Sequence, residues 1–297
     1  MPASAFVALL GVALLWGSAF PMIKIGLEGL SVPHLTVVRH LVASLAFVPL
    51  LLAFRARLRP EPGDVPRFLL LGFVGMFVYH TALNAGELRV SAGATSLIIA
   101  AAPVITAVLA HRFLNDRLTA VGWAGSLLGF GGVALIVVGD GAGLGIDPYA
   151  GFVLLAAVAT SVYFVLQQGM FARYAAVEVV AFVTWGGTVP MVAFLPGLPA
   201  AVAEAPFAPV AAAAYIGLFP SAVAYTLFAV AQARAPVTQV TTMLYAIPLV
   251  SLALSWWWLG EVPSLLTLVG GAIVIVGIAV VRRSRRIARE QGAVAAG

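Results

Sequence analysis

The chain has no cysteine and only one lysine, Lys24, among its 297 residues. Without cysteine there are no disulfides and no thiolate metal sites, and the redox compartment is left unspecified. Without a second lysine, a phosphate-binding loop has no candidate, so nucleotide hydrolysis within this polypeptide is excluded. Charge is scarce too: 9% of residues are charged against 62% hydrophobic, and the mean hydropathy is +1.08. A soluble domain must keep a polar surface and cannot hide that much apolar side chain. The sequence also lacks an HExxH motif, an acidic pair and a workable Ser-His-Asp set. His34, His40 and His111 sit near the ends of apolar runs, and the four histidines show no metal-ligand spacing. No enzyme activity, cofactor, metal or catalytic residue is expected.

What the chain does have is apolar runs, nearly end to end. About 20 apolar residues cross a bilayer as a helix, and the runs predict spans near 4–26, 33–54, 66–86, 91–110 and 118–138, then 149–171, 179–196, 206–231, 236–258 and 263–281. The fold class is therefore an all-α polytopic membrane protein of ten transmembrane helices. Met1 to Phe20 carries no basic residue before its apolar stretch, which fits a retained first span better than a cleaved signal peptide. Breakers such as Arg59-Pro60-Glu61-Pro62-Gly63-Asp64 and Pro196-Gly197-Leu198-Pro199 mark the loops.

The net charge of +5 and the pI near 10.0 do not indicate nucleic acid, because the basic residues lie in short loops and a terminal tail. All of them except Lys24, Arg39 and Arg89 fall on one side of the ten-span arrangement, ending with the run Arg282, Arg283, Arg285, Arg286 and Arg289. By the positive-inside rule both termini are cytoplasmic, which an even number of spans requires. The tail is read as an anchor on the last span rather than a lipid-recognition segment.

The two halves repeat. At an offset of 145 residues the chain aligns without a gap from the third span to the fifth, pairing Gly72/Gly217, Thr81/Thr226, Arg89/Arg234, Ala101/Ala246, Pro103/Pro248, Gly125/Gly270 and Gly132/Gly277. Asp116 aligns with Glu261 and Thr119 with Ser264. Residues 1–140 form the first five-helix repeat, 147–283 the second, and 284–297 a basic tail. An odd number of spans per repeat places the second half upside down, the construction typical of secondary transporters.

Trp16-Gly17-Ser18-Ala19-Phe20-Pro21, Pro103 with Phe113-Leu114-Asn115-Asp116-Arg117-Leu118, and Pro248 with Trp258-Leu259-Gly260-Glu261 carry a resemblance over essentially the whole chain. They resemble the EamA family of the drug/metabolite transporter superfamily. Asn115-Asp116 departs from the commoner form that Gly260-Glu261 keeps. The resemblance implies export of amino acids or related small metabolites across a bacterial inner membrane, with aromatic and hydrophobic amino-acid exporters as the nearest comparison.

Polar and aromatic groups at membrane depth must face protein or water. They give a candidate substrate site of Trp16, Tyr79, His80, Asn84, Tyr163, Gln167, Trp185, Tyr225 and Tyr245. His80 and Asn84 share a helix face, and Tyr225 is the repeat partner of His80. Thr160, Tyr163 and Gln167 form a stripe. Gly75 with Pro220, and Pro103 with Pro248, place helix interruptions at matching positions, which either mark the binding region or are packing kinks. Arg39, two turns into its span, either meets a substrate carboxylate, snorkels outward, or pairs with Glu28 or Glu87. Lys24 and Glu28, four apart, are expected to pair. Trp256-Trp257-Trp258 is expected to be an interfacial anchor. Glycines at 122, 125, 129, 270, 271 and 277 serve either intrachain packing or a homodimer contact, so monomer and dimer both stay open.

All eleven carboxylates fall in loops or at span ends, and His80 is the deep group that titrates near neutrality. That combination favours facilitated export, with proton coupling as the alternative. The expected partners are the bilayer and a small neutral solute, amino-acid-like, met by ring faces. A channel has no comparable need for inverted halves.

Overall fold

The structure, a computed structural model, describes residues 3–113, 119–140, 147–228 and 246–295. Among them every regular element is helical. The first half comprises α1 (Ala3–Leu27), α2 (Val32–Ala53), α3 (Val65–Gly72), α4 (Tyr79–Gly86), α5 (Ala92–Ile99), α6 (Ala102–Phe113) and α7 (Ala120–Asp140). The second comprises α8 (Pro148–Leu166), α9 (Ala176–Thr188), α10 (Leu198–Glu204), α11 (Phe207–Ile216), α12 (Ala246–Leu259) and α13 (Leu265–Ala295). Six helical stretches are long and apolar enough to cross a bilayer, and four shorter apolar ones accompany them. The chain is thus a polytopic helical membrane protein.

The helix starts are written in the sequence. Ser31 Oγ accepts from His34 N, Ser91 Oγ from Ala94 N and Asp147 Oδ1 from Tyr149 N, each meeting a backbone donor that the first turn leaves open. Pro33 and Pro148 stand in first turns, where no donor is lost. The third span runs α3–π–α4, with the π-helical segment Phe73–Val78 between the two α-helices. Its repeat counterpart, Gly217–Ala224, is also π-helical and follows α11. The paired Gly75 and Pro220 interruptions of the sequence therefore correspond to two π segments at the same place in each half. Near Pro103 the helix breaks at Ala100 and Ala101, between α5 and α6. Before Pro248, residues 229–245 lie outside the described residues.

Packing relates the halves by an approximate two-fold. Helix α3 packs on α9 as its repeat partner α11 packs on α2, and the Phe73–Val78 segment packs on α9 as Gly217–Ala224 packs on α2. The repeat partners α7 and α13 pack on each other. A Cβ on Gly125 would fall 2.9 Å from the Gly277 carbonyl oxygen, and one on Gly132 would fall 2.7 Å from that of Gly270. Gly125 aligns with Gly270 and Gly132 with Gly277, so each residue meets its partner's counterpart and the two helices run antiparallel. The glycine stripes thus serve intrachain packing. Gly271 meets the Leu97 side chain, also within the chain.

Loop contacts sort the ends of the bundle. At one end Asp64 accepts from Arg173 at 2.6 Å and from the Tyr174 hydroxyl at 2.8 Å, and Glu178 accepts from the amides of Arg57 and Ala175. Asp64, followed by Glu61, holds the Arg173 guanidinium above its ordinary pKa and so firmly protonated. At the other end His34 Nε2 meets the Pro196 carbonyl, and Glu261 accepts from Ala92 N.

Candidate functional site

Between the halves lies a cavity of 120 Å³. Trp16 and Phe20 reach it from α1, Arg39 from α2, Tyr79 and Leu83 from α4, and Ser96 and Ile99 from α5. The second half adds Thr160 and Phe164 from α8, Tyr225 beyond the π segment, and Ile247 and Pro248 from α12. The broken fourth span contributes Ala100, in the break itself, and Ala102, the first residue of α6. Non-helical backbone at membrane depth belongs where it lines a cavity.

Arg39 is the charged group of this lining, and it is 3% exposed. Its Nε donates to Ser221 Oγ at 2.8 Å, and that hydroxyl donates in turn to the Ile216 carbonyl at 2.8 Å. Ser221 sits in the π segment, so the π geometry fixes the arginine. Gly217 permits the approach, since a Cβ there would fall 2.5 Å from the Arg39 carbonyl oxygen. The Nη1 nitrogen is buried without a partner, and none of the ion pairs within 4 Å among the described residues includes Arg39. Of the readings left open by sequence, neither the lock with Glu28 or Glu87 nor the snorkel is what the structure holds. Above the arginine Trp16 donates to the Pro220 carbonyl at 3.0 Å and meets Tyr225 edge-on at 5.0 Å. The resulting chamber has aromatic walls and one cation with donor capacity to spare.

Four of the residues named from sequence line this chamber: Trp16, Arg39, Tyr79 and Tyr225. The others stand elsewhere. His80 and Asn84 do share a face, but that face looks at α2. His80 meets His40 edge-on at 4.7 Å and its Nδ1 engages the Met76 carbonyl, while Asn84 donates to Thr36 Oγ1 at 2.8 Å. Tyr163 lies under Gly75, where a Cβ would fall 2.5 Å from its ring. Gln167 is buried in the 3-10 turn that ends α8. Trp185 donates to the Ser44 carbonyl at 3.1 Å and, partly buried, packs against a core cluster. Tyr245 lies outside the described residues. Phe20, which shares a face of α1 with Trp16, Thr160 of the α8 stripe and Ser96, a polar group at membrane depth, do line the chamber, whereas Phe164 and Leu83 carried no signal beyond hydropathy.

Three expectations about charge are corrected. His40 is not near a surface but fully buried beside Arg39. Lys24 does not pair with Glu28 within 4 Å. Glu87, which follows the last residue of α4, is not a solvated end group but fully buried. The premise that no buried carboxylate exists therefore fails.

Comparison with known proteins accounts for this architecture. The model of the EamA-like transporter family matches the chain twice, at residues 3–138 and 148–283. A probable terminal-alkyne amino-acid exporter of Streptantibioticus cattleyicolor is 40% identical over 276 residues, 93% of this chain and 92% of its own. An uncharacterized transporter of Bacillus subtilis, YdfC, is 38% identical over 264 residues, 89% of this chain and 86% of its own. A solved crystal structure shares the fold with a TM-score of 0.66 at 21% identity, over 97% of this chain and 99% of that one. With two family matches that together span nearly all its residues, the chain belongs to the EamA-like transporter family, within the drug/metabolite transporter superfamily.

Proposed function

We propose that the chain exports small neutral amino acids with apolar side chains, held in the central chamber by Arg39 and its aromatic walls. The observation that carries this reading is the unpartnered Nη1 of Arg39, buried in a cavity walled mostly by rings and aliphatic groups, with Ser96 and Thr160 as its hydroxyl side chains outside the tyrosines. A buried charged donor without an acceptor is costly, and a solute carboxylate satisfies it with a charge-assisted hydrogen bond. Trp16, Tyr79 and Tyr225 then receive the apolar side chain and, on a ring face, the ammonium group. The volume of 120 Å³ lies below the several hundred Å³ of drug-sized sites. It favours short aliphatic side chains over rings, and amino acids over bulkier amphiphilic compounds. The amino-acid exporter among the relatives supports the same class.

In this reading ten spans form two inverted five-helix halves that rock about the chamber, supported by the antiparallel contact of α7 with α13 and the matched π segments. The arginine-rich end faces the cytoplasm, both termini lie there, and bacterial relatives support a place in the plasma membrane. The test is counterflow in proteoliposomes preloaded with unlabelled L-leucine. Labelled L-leucine should accumulate transiently and saturably, and labelled L-phenylalanine more weakly. Non-saturating entry of both would replace a carrier with a channel.

A further inference from the structure

Glu87 is fully buried, yet neither of its carboxylate oxygens has a hydrogen-bond partner. None of the ion pairs within 4 Å among the described residues includes it. The charged groups that act on it from the elements around it are Lys24 of α1, Arg39 of α2 and Glu261 of the loop after α12. Two are cations and one repels it, but no cation makes the short contact that an ionised, dry carboxylate requires. A buried carboxylate whose oxygens meet no donor is far more costly than the neutral acid, so such a group takes up a proton instead.

Its place in the bundle gives that proton a use. Tyr79, Leu83 and Glu87 are four apart and share one helix face, as do Trp16, Phe20 and Lys24 on α1. In each stripe the first two residues line the chamber. Glu87 thus stands one turn, about 6 Å, beyond the chamber lining toward the end of the bundle. At that end Glu261 accepts from Ala92 N at 3.0 Å and ties the loop after α12 to the start of α5. Shut in this way, the end holds the carboxyl away from water.

We infer that Glu87 is a proton-binding site of the transport cycle, protonated before this end can shut over it and ionised when water reaches it through the chamber from the opposite end. When this end opens, water reaches a carboxylate that arrives without a proton and leaves it hydrated. Closure requires a proton taken from that same water. When the opposite end opens, water enters the chamber, the carboxyl O–H bond breaks, the proton passes to that water and an amino acid binds in exchange, so one proton crosses inward for each amino acid carried outward. The inference rests on the transport reading above, with this end outward.

Two measurements on the intact protein test it. The first is infrared spectroscopy of purified wild type near neutral pH, which needs no substrate. A carboxylic-acid carbonyl band should be present and should be absent from Glu87→Gln, whose helical amide bands report whether it has folded. The second is L-leucine in proteoliposomes. An imposed gradient should support accumulation of about tenfold per pH unit in wild type, and none in Glu87→Gln, which should still exchange labelled for unlabelled leucine at equal pH. A missing band in wild type, a band that survives Glu87→Gln, wild-type accumulation indifferent to the gradient, or gradient-driven accumulation that survives Glu87→Gln each overturns the inference. If wild type exchanges no leucine at all, the transport reading fails, and the infrared band alone decides for or against the proton site.

Discussion

Arg39 is held from three directions: its Nε by Ser221, its backbone by the close approach of Gly217, and its charge by a chamber with no competing carboxylate in contact. That arrangement makes its planar fork, not merely its charge, the functional property. Arg39→Lys keeps the cation but loses the Nε contact and the two-pronged geometry. A hydrogen bond to a charged group is worth about 1.5–3 kcal/mol, so half-saturation for leucine counterflow should rise about 10- to 100-fold, and Arg39→Gln should exceed that. An Arg39→Lys variant with unchanged half-saturation would remove the arginine from the site. The same residue shows how far sequence reaches. An arginine two turns into an apolar run announces itself, because its burial must serve something. His80 and Asn84 misled because four-residue spacing proves a shared face without saying what the face meets. Successive helix residues turn by about 100°, and the neighbouring stripe of Tyr79 and Leu83 is the one that looks into the chamber.

At the scale of elements, the closest packing is carried by glycines opposite backbone. On α7, Gly131 and Gly132 are adjacent in sequence but opposite in consequence. A Cβ on Gly131 would meet nothing within 4 Å, whereas one on Gly132 would lie 2.7 Å from the Gly270 carbonyl oxygen. Backbone does not yield as a flexible side chain does, so Gly132→Ala forces α7 from α13. It should lower stability by about 1–3 kcal/mol, the usual range for overpacking. Gly131→Ala should be neutral or stabilising, by up to about 1 kcal/mol, because alanine favours helix. Thermal unfolding of the two purified variants compares them directly, and equal midpoints would contradict a backbone-limited contact. The small-residue stripes were visible in the sequence, but their partner was not, since a stripe permits intrachain and intermolecular packing alike. The π segments show a similar division. Paired Gly75 and Pro220 marked where the helices are disturbed, while the shifted hydrogen-bond pattern that lets Ser221 hold Arg39 depends on contacts between halves.

For the whole molecule, the strongest claim is inversion, and the chain is suited to testing it because it has no native cysteine. Thr119 and Ser264 are repeat partners, and each caps the helix that follows it. Thr119 Oγ1 accepts from Gly122 N, and Ser264 Oγ from Thr267 N. The same cap three residues before the same donor shows how faithfully the halves match locally. Yet a Cβ on Gly139, near the end of α7, would fall 2.9 Å from Ser264 Oγ. The start of one helix therefore sits beside the end of its counterpart, and the two caps stand at opposite ends of the bundle. If the arginine distribution orients the protein as the positive-inside rule requires, Thr119 faces the cytoplasm and Ser264 the outside. In intact cells a membrane-impermeant maleimide should label Ser264→Cys and spare Thr119→Cys, and permeabilised cells should label both. A reversed pattern would keep the inversion and turn the protein over, placing Glu87 on the cytoplasmic side and reversing the proton path. Labelling of both from one side would break the inverted arrangement, because two equivalent caps sharing a membrane face cannot belong to halves that exchange roles across it.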